Sequence, residues 1–143
     1  ELPHLGAGEP ADPERHRAFT GHFNQTILDN AVHAAQLLAS RANEGQMWIR
    51  TPIIPQATDR EENISGIGRF IATRLNGVVS RWELCAFNNL CADKYRRLDL
   101  PWPYADCELV TLSRMDHLAG VARSSGVDPS IVHCSGETRR EGD

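Results

Sequence analysis

The chain reads as an α/β domain with a parallel sheet, on three observations. Helical and strand-like segments alternate through short connections, the pattern of right-handed crossovers between parallel strands. The segments "QMWIRTPIIP" and "VVSRWELCAF" carry the apolar and β-branched residues of buried strands. Around them, apolar residues recur at the three-and-four spacing of helices with one buried face. A chain of 143 residues suits a single domain, one that buries roughly two-thirds of its unfolded surface if its outline is compact.

Taken in order, residues 1–11 have too few apolar side chains for a strand and read as an extended or disordered segment. The first residue is Glu1 rather than Met, so the chain reads as a piece whose natural N-terminal part lies elsewhere. The α/β unit is expected over 12–134. It opens with a short helical turn in "ADPERHRAFTGH", where Pro13 suits the first helical position behind Asp12 and Gly21 is a stop. A longer helix from about Asn24 to Arg41 places Ile27, Leu28, Ala31, Ala35, Leu37 and Leu38 inward, with Gly45 at its end. The first strand then runs to Pro55.

Thr58 and Glu61 have capping-box spacing, which opens a helix running to about Leu75 with Ile64, Ile67, Phe70 and Ile71 inward. Gly77 ends it, and the second strand follows. Beyond that strand, Pro101 and Pro103 keep the loop "NNLCADKYRRLDL" from becoming a regular helix or central strand. A further helix is expected from about Asp106 to Arg123, with Leu109, Leu112, Met115, Ala119 and Ala122 inward and Gly126 as stop. Ser130 to Cys134 makes a last short strand, and 135–143 is a polar tail.

Composition narrows the function. With 15 Lys and Arg against 19 Asp and Glu, the net charge of -4 gives no electrostatic reason to expect nucleic acid. Arg96, Arg97, Arg139 and Arg140 are small patches of the kind usually solvated. No apolar run approaches the ~20 residues of a membrane helix, and no signal segment opens the chain, so a cytoplasmic protein without membrane contact is expected. Cys85, Cys91, Cys107 and Cys134 form neither a zinc knuckle nor a redox CxxC, and read as reduced thiols with no metal site.

In a parallel sheet the loops after the strands converge at one rim, here Pro55 to Asp59 and Asn88 to Tyr95. Arg50 interrupts an apolar strand, and its guanidinium either clamps a ligand carboxylate or phosphate or pairs with Glu83 on the neighbouring strand. Glu83 is expected half exposed. Asn88 and Asn89 suit adenine or ribose recognition but equally suit a turn. Lys94 and Tyr95 belong to a solvated basic loop or meet an anionic partner. No HExxH, Ser-His-Asp, GxGxxG or GxxxxGK[ST] pattern lifts His16, His22 or His117 above surface or packing roles.

Three blocks together carry a resemblance: "DPERHRAFTGHFNQTILDN", "WIRTPIIPQATDREENISGIGRF" and "RWELCAFNNLCADKYRRL". In order and spacing they resemble the C-terminal half of glycyl-radical-enzyme activating proteins, the radical S-adenosylmethionine enzymes that include the pyruvate formate-lyase activating enzyme. The resemblance covers roughly Asp12 to Val132. It implies the C-terminal half of a partial (β/α)6 barrel, similar to a TIM barrel, whose missing N-terminal half-barrel completes the fold. It also implies a 4Fe-4S cluster that cleaves S-adenosylmethionine to a 5'-deoxyadenosyl radical, which abstracts hydrogen from a glycine of a partner glycyl radical enzyme.

By the same resemblance Arg50 holds the methionine carboxylate, while Pro55 and Cys85, Phe87 and Asn88 flank the adenine. Family members often show Leu-Pro, an aromatic residue and His or Asn at this second segment; here Cys85 and Ala86 replace the first two. Cys85 is thereby implied as a wall residue of the site, and Asn89, Lys94 and Tyr95 as contacts for the partner's glycyl loop. The family's CxxxCxxC cluster motif, Gly-Gly-Glu segment and Asp-x-Lys strand end all precede the matched region and do not occur in this chain. The 143 residues alone are therefore expected neither to bind a cluster nor to cleave S-adenosylmethionine.

Overall fold

Three parallel strands form one sheet in the order β1 (Met47–Ile53), β2 (Val79–Ala86) and β3 (Val132–Ser135). The computed structural model describes residues 13–40, 45–75, 77–140 and 142. The segment 1–11 and the expected helix end at residue 41 lie outside the described residues. Ahead of β1 come α1 (Pro13–Thr20) and α2 (Gln25–Ser40). The β1 to β2 crossover is α3 (Glu61–Arg74). Between β2 and β3 the chain makes a short helix α4 (Ala92–Arg97), then α5 (Leu112–Arg123) and a single 3-10 turn, Pro129–Ile131.

Strand register divides the side chains between two faces. Ile49, Trp82 and Val132 share one row and Thr51, Leu84 and Cys134 another, and this face packs against the helices. Its core joins Ile53, Trp82, Leu84 and Val132 to Ile64 and Ile71 of α3 and Met115, Leu118 and Ala122 of α5. Trp82, on the middle strand, is wholly buried, and its indole N–H donates to Thr51 Oγ1 at 3.0 Å, so its polar atom is satisfied. Gly68 lets α3 close onto this ring. A Cβ there would come within 1.7 Å of Ser125 Oγ and 3.1 Å of a Trp82 ring carbon, which outweighs the roughly 1 kcal/mol that Gly costs a helix relative to Ala.

Four local expectations are corrected. Thr58 does not cap α3: the N-cap position is Arg60, without a side-chain cap, while the Thr58 hydroxyl donates to Pro52 O and accepts from Ile54 N at 2.8 Å. It closes the turn after β1 by bridging two backbone groups there. α5 starts later than Asp106, because Thr111 is its N-cap and accepts from Arg114 N at 3.2 Å. Leu112 is consequently 52% exposed. Residues ahead of it are held extended by Arg139, whose backbone N–H donates to Val110 O at 3.1 Å.

On α2, Ile27 and Leu37 face out, 58% and 51% exposed, while Ala35 is fully buried. Each lies one position off the inward stripe of Leu28, Ala31, Ala35 and Leu38, and one residue turns a helix by about 100°. Finally, the loop after β2 does contain a helix, α4, because the barrier raised by Pro101 and Pro103 acts only at and just before their own positions. Tyr95 of α4 packs on Trp102, with ring centroids 4.5 Å apart.

Candidate functional site

The opposite face of the sheet is where the chain collects charge. Arg50, Glu83 and His133 share one row, and Pro52, Cys85 and Ser135 the next toward the strand ends. Arg50 Nε donates to Glu83 Oε2 at 2.7 Å, and Arg81 Nη2 donates to the other oxygen, Oε1, at 3.2 Å. Trp48 lies over Arg81, whose guanidinium carbon is 5.4 Å from the ring centroid. Arg81 Nε is buried without a hydrogen-bond partner.

Burial within this group is uneven. The Glu83 side chain is only 12% exposed, whereas that of Arg50 is 67% exposed. Glu83 was expected half exposed; the two arginines cover it instead, in a layer one side chain deep. They also hold its carboxyl below the usual carboxylate range, Arg81 first by hydrogen bonding and Arg50 by its charge. The Arg50 guanidinium is held more firmly protonated still, by the Cys85 sulfur first and then by Glu83. Its Nε is committed to Glu83, and its side chain also meets the Cys85 sulfur on the same face.

A pH dependence follows from Glu83. Because its pKa is lower folded than unfolded, its contribution to stability is complete above the unfolded value near 4.5 and is lost as pH falls through the folded value. Urea titrations at neutral pH and again below that range should therefore show a larger acid-induced loss for the wild type than for Glu83→Gln. Equal losses would remove Glu83 from the acid-sensitive groups.

At the rim, Phe87 N donates to Ile53 O at 3.1 Å, which joins the ends of β1 and β2 below the half-buried Pro55. Phe87 is 7% exposed and lies under Trp102 and Tyr104, with centroids 6.5 and 5.7 Å away. Asn88 is exposed, and its Oδ1 accepts from Leu90 N at 3.1 Å, a local turn. Asn89 braces the loop: its Oδ1 accepts from Trp102 Nε1 at 3.2 Å and its Nδ2 donates to Cys107 O at 3.5 Å. Lys94 projects from α4 and is exposed, while Tyr95 is half buried against Trp102.

Arg50 and Cys85 thus meet on the open face, with Cys85 Sγ 3.9 Å from Glu83 Oε2. Phe87 and Asn88 stand at the end of β2, and Asn89 and Tyr95 meet through Trp102. Arg81, Trp48, Trp102 and Tyr104 were not anticipated. Arg81 could have been, because it lies two positions before Glu83 on a strand and so shares its face. Trp102 and Tyr104 offered no local signal. Cys85 and Cys134 belong to opposite faces of the sheet, and no group of three or more His, Cys, Asp or Glu is placed to hold a metal among the described residues. A cavity of about 530 Å³ between α3 and α5, lined by Ser65, Arg69, His117 and Ser124, takes in none of the site residues.

Comparison with known proteins separates this arrangement from a generic α/β sheet. No protein-family model matches the chain. The pyruvate formate-lyase-activating enzyme of Streptococcus mutans is 32% identical over 92 residues, covering 64% of this chain and 32% of that protein. The indoleacetate decarboxylase activating enzyme of Tractidigestivibacter scatoligenes is 33% identical over 116 residues, covering 81% and 34%. The (2S)-3-sulfopropanediol dehydratase activating enzyme of Klebsiella oxytoca is 31% identical over 123 residues, covering 86% and 36%. The chain belongs to the glycyl-radical-enzyme activating family. It spans about a third of the length of these family members and matches their C-terminal part. A crystal structure of a domain of a pyruvate-formate lyase-activating enzyme from Bacteroides vulgatus superposes with a TM-score of 0.63 at 16% identity, covering 90% of this chain and 63% of that one. This activating-family fold is therefore the mixed α/β arrangement described above.

Proposed function

We propose that the chain is the C-terminal part of a radical S-adenosylmethionine activase, one side of a partial (β/α)6 barrel, whose full-length parent generates a glycyl radical on a partner enzyme. The observation that carries this reading is Arg50: a side chain 67% exposed on the open face, held at Nε by the largely buried Glu83 carboxylate. Two parallel N–H donors are what a bidentate contact with an amino-acid carboxylate requires. Pro55, Cys85, Phe87 and Asn88 would wall the adenine side. Phe87 would do so through the aromatic group it supports, and Asn88 with its amide N–H groups. Asn89, Lys94 and Tyr95 would meet the partner's glycyl loop.

In this reading Arg50, Pro55, Cys85, Phe87 and Asn88 would bind and orient S-adenosylmethionine, which would supply the hydrogen-abstracting chemistry of the parent. The cluster itself does not fit here. Neither the CxxxCxxC spacing nor a close set of ligands occurs among the described residues, so this reading assigns the cluster to the remainder of the parent. No described helix is long and apolar enough to cross a membrane, and the reading places the parent in the cytoplasm, a reducing compartment that suits its chemistry.

The test compares two proteins. The whole protein as its gene encodes it, reduced and given S-adenosylmethionine and its partner, should yield 5'-deoxyadenosine and a glycyl-radical signal in electron paramagnetic resonance. The 143-residue chain alone should yield neither, and 5'-deoxyadenosine from it would sink this reading. A non-catalytic interaction module is the rival, favoured by the outward leucines Leu90, Leu98 and Leu100, 82%, 68% and 53% exposed, on the loop after β2. Tight partner binding by a whole protein that never forms 5'-deoxyadenosine would favour that rival.

A further inference from the structure

Arg50 with Glu83 alone would make a poor receptor for a carboxylate. A guanidinium 2.7 Å from a carboxylate oxygen forms a neutral pair, and an incoming anion would meet the repulsion of Glu83 as well as the attraction of Arg50. Arg81 changes the sum. It holds the second Glu83 oxygen at 3.2 Å, so two guanidinium charges oppose one carboxylate and the face keeps one positive charge. Trp48 packs on Arg81 as well, its ring centroid 5.4 Å from the guanidinium carbon. Because Arg50 and Arg81 take separate oxygens, Glu83 cannot rotate away without losing one of them.

We propose that Arg81 is a positioning residue for carboxylate recognition: acting through Glu83, it cancels that charge and leaves the Arg50 guanidinium oriented and electrostatically free for the amino-acid carboxylate of the ligand. The inference rests on the reading that Arg50 meets that carboxylate. Arg81 touches neither ligand nor reacting atoms in this role.

Its test is equilibrium binding to the whole protein as its gene encodes it, with two ligands. S-adenosylmethionine carries the carboxylate; decarboxylated S-adenosylmethionine keeps the adenosine, sulfonium and amine and lacks it. Arg81→Met should weaken the first about five- to tenfold, because the Glu83 charge is then opposed by Arg50 alone and its carboxylate is no longer held at both oxygens, and leave the second unchanged. Arg81→Lys, which restores the charge but not the stacking on Trp48, should recover most of the affinity lost in Arg81→Met. In a Glu83→Gln background the Arg81→Met loss should shrink, since the part exerted by holding the Glu83 carboxylate is gone and only the direct effect of the Arg81 charge remains.

Parallel weakening of both ligands, a Lys variant no better than Met, or an undiminished loss in the Glu83→Gln background would each overturn the proposal in favour of a packing role. Failure of the underlying reading looks different. If Arg50→Met leaves S-adenosylmethionine binding intact, Arg50 is not the receptor; if Arg50→Met abolishes binding while Arg81→Met changes nothing, only the role of Arg81 is rejected.

Discussion

Replacing Trp82 with Ala is expected to lower the free energy of unfolding by about 3–5 kcal/mol. That is a large part of the roughly 5–15 kcal/mol by which an ordinary domain is stable. Trp82 is wholly buried on the middle strand, between Ile49 and Val132 in register, and its ring lies against the place where α3 has no side chain at Gly68. Truncation leaves a cavity that the sheet and α3 border together, and strands the Thr51 hydroxyl that now accepts from the indole at 3.0 Å. Trp82→Phe should cost less, because most of the cavity is refilled and only the hydrogen bond is lost. Urea denaturation followed by circular dichroism measures both. An Ala variant within about 1 kcal/mol of wild type would mean that the sheet and α3 do not share this core.

On the function proposed above, Arg50→Met is expected to weaken S-adenosylmethionine binding by the whole protein roughly 10- to 100-fold, the loss that removing a charge-assisted bidentate contact would cause. Its thermal midpoint should move little, since the Arg50 side chain is 67% exposed and Glu83 keeps Arg81 as a partner. Arg50→Lys should recover only part of the affinity, because an ammonium cannot present two parallel donors. Isothermal titration alongside thermal melting separates the outcomes. Unchanged affinity with a lowered melting point would make Arg50 a structural mate of Glu83 and leave the carboxylate of the cosubstrate to another residue.

The two strands, α3 and the inward faces of its helix were legible in the sequence because one-dimensional periodicity reports directly on burial: Ile64 and Ile71 lie where the spacing put them. The parallel order of the strands followed from their alternation with helices. Helix ends were less legible. Thr58 has the spacing of a cap, yet the backbone groups at the end of β1 compete for its hydroxyl and win; Thr111, without a conspicuous partner pattern, caps α5.

Residue types and their order by themselves determined the family and singled out Arg50, since a charge within an apolar strand needs a partner wherever the chain folds. Only the tertiary structure decided what surrounds it. Strand register sets Arg50 beside Glu83 and, with the two-residue repeat of β2, brings Arg81 to the same carboxylate. It likewise sends Cys134 to the helix face and Cys85 to the open one. Trp102 reaches Asn89, Phe87 and Tyr95 across the loop by contacts that no local pattern encodes. The physical reason is the same in each case: local spacing fixes which way a side chain points along its own element, whereas the partner it meets depends on alignment between elements distant in sequence.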